Sequence, residues 1–157
     1  MSENNMDTSD KEKGEKTIWH REFRRALETG DMLAFTGLLR SFLGNFTYHQ
    51  IREPEGHYQT VLQTIFLMCG YESQCERVLP AGRLDIALDT GNIIYVFELK
   101  LDGKVREASS QIRDKNYVRP FEGLGRPVME VALNFSGKDR NLADYQILAR
   151  YGCGQTD

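Results

Sequence analysis

The sequence lacks the long apolar run that a membrane-spanning helix requires. No stretch approaches the about 20 consecutive apolar residues that cross a bilayer, and residues 1–16 contain no hydrophobic segment of the kind found in secretory signals. The cysteines are few and odd in number, and they form no Cys-x-x-Cys pair: Cys69, Cys75 and Cys153. This pattern favours a reducing compartment over a disulfide scaffold. We therefore expect a cytoplasmic protein without a membrane segment.

The sequence also lacks the surplus of basic residues that is typical of nucleic-acid-binding proteins. Lysine and arginine number 20 against 23 aspartate and glutamate residues, which gives a formal net charge of -3. Residues 1–16 hold five acidic residues and three lysines, so this segment carries two of the three net negative charges. Because it contains almost no apolar side chains, we expect it to be a disordered tail. The charge balance therefore does not exclude a nucleic-acid partner.

The 157 residues that are present suffice for one domain with a packed core. Apolar residues at helical spacing predict two helices, over residues 18–28 and 31–43, which lie in a helical connector at 17–50. A third, strongly apolar helix is predicted to end at Gly70.

Shorter apolar periods follow, and they predict strands. The predicted strands cover residues 71–78, 83–89, 93–101 and 128–135, and a last one lies near 145–149. Between the third and fourth strands we expect a helix over residues 104–117 with Asp102 as its N-cap, and we expect residues 151–157 to be frayed. This order predicts an α/β fold in which a mixed sheet is flanked by helices.

A two-residue turn at Gly91-Asn92 is predicted to join the second and third strands. Such a turn fixes the register of the two strands. One face of the hairpin then carries three apolar pairs: Leu84 with Leu99, Ile86 with Phe97 and Leu88 with Tyr95. The other face pairs Ala87 with Val96, Asp85 with Glu98 and Arg83 with Lys100.

The facing carboxylates of Asp85 and Glu98 carry the chemical signal in this hairpin. Like charges on directly opposed strand residues are destabilising, so the pair requires a proton or a cation. Carboxylates on adjacent strands suit Mg²⁺, which keeps its other positions for water and phosphate oxygens. Lys100 lies on the same face as Glu98, where its ammonium can orient a metal-bound water or stabilise developing charge. The set suits hydrolysis of a phosphodiester.

The same charges also fit a solvated surface without chemistry. On an exposed hairpin, Asp85 would simply pair with Arg83 or Lys100. The neighbouring pair of Ala87 and Val96 favours the first interpretation, since it indicates that this face is partly covered. The cations that follow, from Lys100 to Arg119, fit a solvated helix face as well as a track for phosphates.

Asp85, followed by Glu98-Leu99-Lys100 at the end of an apolar strand, resembles the D…(D/E)-x-K signature of the PD-(D/E)XK nuclease superfamily. Leu84 stands where that signature usually has a proline. The wider resemblance covers residues 51–150 and rests on four further segments: Glu55-Gly56-His57-Tyr58, Gly82 to Ile86, Gln111 to Tyr117, and Val131 to Ser136. Their order is similar to the nuclease-like domain that follows an AAA-ATPase-like domain in many bacterial proteins.

This resemblance implies a restriction-endonuclease-like fold, a three-layer core with an N-terminal helical extension. It implies that Asp85, Glu98, the backbone carbonyl of Leu99 and Glu55 bind Mg²⁺ or Mn²⁺. Lys100 would be the catalytic lysine. The remaining residues that the resemblance brings to the site are Gln111 from the following helix and three cations for nucleic acid, with DNA expected: Lys104, Lys115 and Arg83.

Two functions remain open at this point. The chain is either a metal-dependent nuclease or a catalytically silent nuclease-fold module that binds nucleic acid or an AAA-ATPase-like partner. The sequence contains no Gly-x4-Gly-Lys-Ser/Thr loop, so we expect such an ATPase either to be a separate molecule or never to have been present. A homodimer would suit cleavage of both strands of a duplex. A structural α/β protein with solvated charges is the remaining, weaker alternative.

Overall fold

In a computed structural model, the described residues are 19–46, 54–79, 82–103 and 124–152. Three helices come first: α1 (Trp19–Thr29), α2 (Met32–Gly44) and α3 (Pro54–Met68). Five strands follow: β1 (Ser73–Leu79), β2 (Gly82–Asp89), β3 (Ile94–Leu101), β4 (Val128–Ser136) and β5 (Asn141–Tyr151). The first two helices agree with the prediction to within one residue. The last strand, expected near residues 145–149, is 11 residues long.

The five strands form one mixed sheet in the order β1-β2-β3-β4-β5. The β3 and β4 strands are parallel, and every other neighbouring pair is antiparallel. The predicted α/β fold with a mixed sheet and helices is therefore confirmed. The expected helix over 104–117 and the tail at 1–16 lie outside the described residues.

The predicted β2–β3 register is confirmed where the structure describes its pairs. Ile86 pairs with Phe97, Ala87 with Val96, and Leu88 with Tyr95. At the turn, the backbone N–H of Thr90 donates to the carbonyl oxygen of Ile93 at 3.0 Å. Gly91 has a φ of 88°, a left-handed conformation that glycine adopts without steric cost.

Among the described residues, an apolar core joins the helices to one face of the sheet. Aromatic side chains hold its centre, where Phe35 and Phe66 pack against Phe97 with ring centroids 6.0 and 5.8 Å away. Fully burying such a side chain contributes roughly 1.5–3 kcal/mol. Phe23 of α1 belongs to the same cluster, so the helices of the predicted connector share their core with the sheet. The predicted domain boundary at residues 50–51 stays a prediction.

The turn between α1 and α2 lies close to Ile93 and to Met129 of β4. Gly30 has a φ of 73°, and a Cβ there would lie 3.1 Å from Ile93 Cδ1 and 3.2 Å from Met129 Cε. The Asp31 side chain then caps α2 by accepting a hydrogen bond from Ala34 N at 3.0 Å.

Within the described ranges, no helix has both the length and the apolar character needed to cross a membrane.

Candidate active site on the second face of the sheet

The face of the sheet turned away from α1–α3 is also buried. Successive β3 residues alternate between the two faces. Tyr95 and Phe97 belong to the core beneath the helices, whereas Val96 lies on the opposite face and is fully buried there. Ala87, opposite Val96, is 5% exposed, so the predicted covering of this face is confirmed. Charged side chains here are therefore not on a freely solvated surface.

Two of the predicted site residues lie on this second face, at the end of β3. Glu98 is only 6% exposed, and Lys100, two residues further along the strand, is half-buried. The Lys100 side chain makes no ion pair or hydrogen bond within the part of the chain that the structure describes. Leu99, between them, points to the helix side and packs against the core; its backbone pairs with Leu133 of β4.

Asp85 lies in β2, but its side chain is outside the described part of the structure. The described β2–β3 pairs end at Ile86 and Phe97. One further step of the same register would place Asp85 opposite Glu98, so that pairing stays a prediction. The side chain of Arg83 is likewise outside the description, although its backbone pairs with Val78 of β1.

Strand β1 adds an acidic position that the sequence analysis missed. Cys75 pairs with Ile86, and Arg77 pairs with Leu84. Glu76 lies between the two paired residues of β1, so the register places it opposite Asp85 of β2. The pairing of Leu79 with Gly82 fixes the alignment of β1 with β2, and the turn-forming residues Pro80-Ala81 between them were visible in the sequence.

Strand β4 contributes two buried polar residues that the sequence analysis also missed. Glu130, opposite Val96, is 3% exposed, and Asn134, opposite Lys100, is 6% exposed. Both share the face of Glu98 because directly paired residues point to the same side of a sheet. Their positions in an otherwise apolar strand were visible in the sequence, but the parallel register that brings them to Glu98 and Lys100 was not.

The ends of β3 and β4 are tied together by hydrogen bonds. Asp102 N donates to Phe135 O at 2.8 Å, and Gly137 N donates to Asp102 Oδ1 at 2.8 Å. Asn134 Nδ2 donates to the carbonyl oxygen of Gly103. Asp102, expected as an N-cap, has a φ of 54°, and its carboxylate binds the loop after β4. These contacts fix the chain directly after Lys100.

The first turn of α3 lies at the same end of the sheet. The Tyr58 ring stacks on Phe135 with a centroid distance of 4.2 Å and an interplanar angle of 10°. Burial raises the pKa of Tyr58, and the Asp102 carboxylate adds to the effect. Glu55 belongs to this turn, but its side chain is outside the described part, so its role at the site stays a prediction. Burial lowers the pKa of the neighbouring His57.

The remaining predicted site residues, Gln111, Lys104 and Lys115, lie outside the described residues. Among the described side chains, no group of three or more His, Cys, Asp or Glu residues is arranged to hold a metal ion. Glu98 is the one predicted metal-binding side chain that is described. Its buried carboxylate is the hard oxygen donor that Mg²⁺ and Mn²⁺ prefer, so this donor fits the predicted cofactor.

Comparison with known proteins defines the class to which this fold and site belong. A family model described as the PD-(D/E)XK nuclease superfamily matches residues 53–145, which is more than half of the chain. The chain therefore belongs to the PD-(D/E)XK nuclease superfamily. The matched range includes all the residues predicted to bind metal or to act in catalysis: Glu55, Asp85, Glu98, Leu99, Lys100 and Gln111.

A curated protein of Azotobacter chroococcum mcd 1, described as "Uncharacterized protein in vnfD 5'region", is 25% identical to this chain over 99 residues. The match covers 62% of this chain and 19% of that protein. This chain thus corresponds to about a fifth of the length of that relative. No solved structure matches the chain significantly.

Proposed function

We propose that this chain is a metal-dependent nuclease that hydrolyses phosphodiester bonds of nucleic acid. One observation carries the proposal: in a member of this superfamily, a buried Glu98 and a half-buried Lys100 share one covered face at the end of β3. A solvated hairpin would leave such charges exposed. Their burial supports the catalytic interpretation over the structural one.

In this proposal, Asp85 and Glu98 hold Mg²⁺ or Mn²⁺, and the carbonyl oxygen of Leu99 and the carboxylate of Glu55 complete the protein ligands. When bound, the ion would lower the pKa of a coordinated water and polarise the phosphoryl oxygen. Lys100 would orient the attacking water and stabilise the negative charge that develops on the phosphorus oxygens. Gln111 would lie beside these groups.

The substrate would be held by cations outside the ligand set. Lys104, Lys115 and Arg83 are the proposed contacts to phosphates, with DNA as the expected nucleic acid. A homodimer would bring two such sites to the two strands of a duplex. Because these contacts are to the phosphate backbone of the nucleic acid, its binding should weaken steeply as the salt concentration is raised.

The test is cleavage by purified protein of double-stranded DNA, single-stranded DNA and RNA with Mg²⁺, with Mn²⁺ and with a chelator. We expect cleavage that depends on the metal and is lost in Glu98→Gln and Lys100→Met. Loss of a general acid–base group typically lowers the rate by about 10²–10⁴-fold. The matched controls Glu72→Gln and Lys138→Met alter exposed residues of the same types and should keep the wild-type rate. Equal cleavage by Lys100→Met and Lys138→Met would refute the role of Lys100.

The alternative is a catalytically silent module that binds nucleic acid or a separate AAA-ATPase-like protein. The A. chroococcum match supports considering it, because there the similar segment is a small part of a much longer chain. Metal-binding calorimetry distinguishes the nuclease from the silent module. The nuclease proposal expects Mn²⁺ binding that Glu98→Gln weakens at least tenfold, whereas a silent module would bind a purified ATPase or DNA with no measurable affinity for the metal.

A further inference from the structure

Lys100 is paired with a residue of β4 to which the proposed chemistry assigns no role. In the parallel register of β3 and β4, Lys100 pairs directly with Asn134. Both residues are on the face that carries Glu98. Asn134 is 6% exposed, so its amide is a buried polar group whose hydrogen bonds must come from the protein or from what the site binds.

The donor half of the Asn134 amide is used to fix the chain after Lys100. Asn134 Nδ2 donates to the carbonyl oxygen of Gly103. A Cβ on Gly103 would lie 3.4, 3.6 and 3.7 Å from Cβ, Cγ and Cδ of Lys100. The stem of the lysine therefore lies next to Gly103, close enough that an added methyl group there would touch it. By holding Gly103, Asn134 holds the surface on which the lysine stem lies.

The acceptor half of the same amide has no donor among the described residues. Asn134 Oδ1 is buried and accepts no hydrogen bond from any residue that the structure describes. Across the strand pair, the Lys100 ammonium likewise has no partner among the described residues. A buried acceptor without a donor is unfavourable, and a lysine ammonium has three protons to donate. The strand register thus sets a residue with a buried acceptor directly opposite a residue with a donor that fits it.

We propose that Asn134 is a positioning residue for Lys100. Its Nδ2 fixes Gly103 beside the lysine stem, and its Oδ1 is the proposed acceptor for a hydrogen bond from the ammonium. The inference rests on the proposed nuclease function, since the lysine is positioned for that reaction. Asn134 acts through Lys100 and touches neither the metal nor the scissile phosphate.

Asn134→Ala tests this role, and β5 supplies a matched control. Asn141 also donates its side-chain N–H to a distant backbone carbonyl, that of Arg40 at 3.1 Å, and it is half-buried. Asn141→Ala therefore removes a similar hydrogen bond away from the site. We expect Asn134→Ala to lower kcat at least tenfold with KM within about twofold, and Asn141→Ala to leave kcat within about twofold. If Asn134→Ala does not fold, Asn134→Ser takes its place.

A double-mutant cycle on unfolding in urea gives a readout that needs no catalysis. Residues in contact are non-additive, whereas distant ones are additive. In a Lys100→Met background, Asn134→Ala should change the unfolding constant at least about threefold less than in wild type, while Asn141→Ala should have the same effect in both backgrounds. An unchanged kcat in Asn134→Ala, or an additive cycle with Lys100, would overturn the positioning role. If the wild-type protein cleaves no nucleic acid, the proposed function fails. The double-mutant cycle alone then tests whether Asn134 and Lys100 interact.

Discussion

The tie between the loops after β3 and β4 makes a stability prediction that can be worked out from distances. A Cβ on Gly137 would lie 2.9 Å from Asp102 Oδ2, too close to be tolerated. The Asp102 carboxylate must then move, although its Oδ1 accepts from the N–H of Gly137 itself at 2.8 Å. Gly137→Ala should therefore break that hydrogen bond.

The expected loss of stability follows from the type of hydrogen bond that Gly137→Ala breaks. A hydrogen bond to a charged group contributes about 1.5–3 kcal/mol, and the exposed position of Asp102 reduces this to about 1 kcal/mol. In a protein of this size, such a loss lowers Tm by roughly 2–4 °C. Gly37→Ala is the matched control, since nothing lies within 4 Å of a Cβ there. It replaces a glycine inside α2 and should stabilise by about 0.5–1 kcal/mol.

Urea unfolding followed by circular dichroism measures both variants against wild type. In an Asp102→Ala background, Gly137→Ala should cost nothing further, because the clashing carboxylate and its hydrogen bond are both gone. A Gly137→Ala protein as stable as Gly37→Ala would refute the tie between the two loops. So would an undiminished cost in the Asp102→Ala background.

Three further predictions follow from the described contacts. Burial raises the pKa of the Cys69 thiol to about 11. At pH 8 its thiolate fraction is therefore about a hundredth or less of that of an ordinary cysteine. Mass spectrometry should find Cys69 alkylated far more slowly than the half-buried Cys75. Gly30→Ala should lower the free energy of unfolding by about 1–2 kcal/mol, measured in urea, because its φ of 73° is left-handed. Tyr58→Leu should destabilise by about 0.5–1.5 kcal/mol through loss of stacking on Phe135, whereas Tyr58→Phe should stay near wild type in the same assay.

The hairpin shows how far local signals in the sequence reach. The Gly91-Asn92 turn and the alternation of apolar residues were enough to predict that Ile86 pairs with Phe97 and Ala87 with Val96. Turn chemistry and side-chain period are properties of neighbouring residues, so they are readable without knowledge of the fold. Glu98 and Lys100 were placed on one face by the same reasoning.

The contribution of β4 could not be derived in this way. Glu130 and Asn134 reach the site only because β4 runs parallel to β3, and that register is set by the long connection between the two strands and by packing on both faces. The tie of Asp102 to Gly137 depends on the same pairing. The N-cap role of Asp102 stays a prediction, since residues 104–117 lie outside the described part, and the long-range contact of its carboxylate with Gly137 could not be derived from neighbouring residues.

The most direct test of the central claim is the position of a metal ion. Crystals of the protein soaked in Mn²⁺ should show an anomalous peak between the carboxylates of Asp85 and Glu98, and Glu98→Gln crystals soaked in the same way should show a much weaker one. A peak elsewhere, or none at this position in crystals that diffract well, would contradict the proposal that this face of the sheet is a metal-dependent nuclease site.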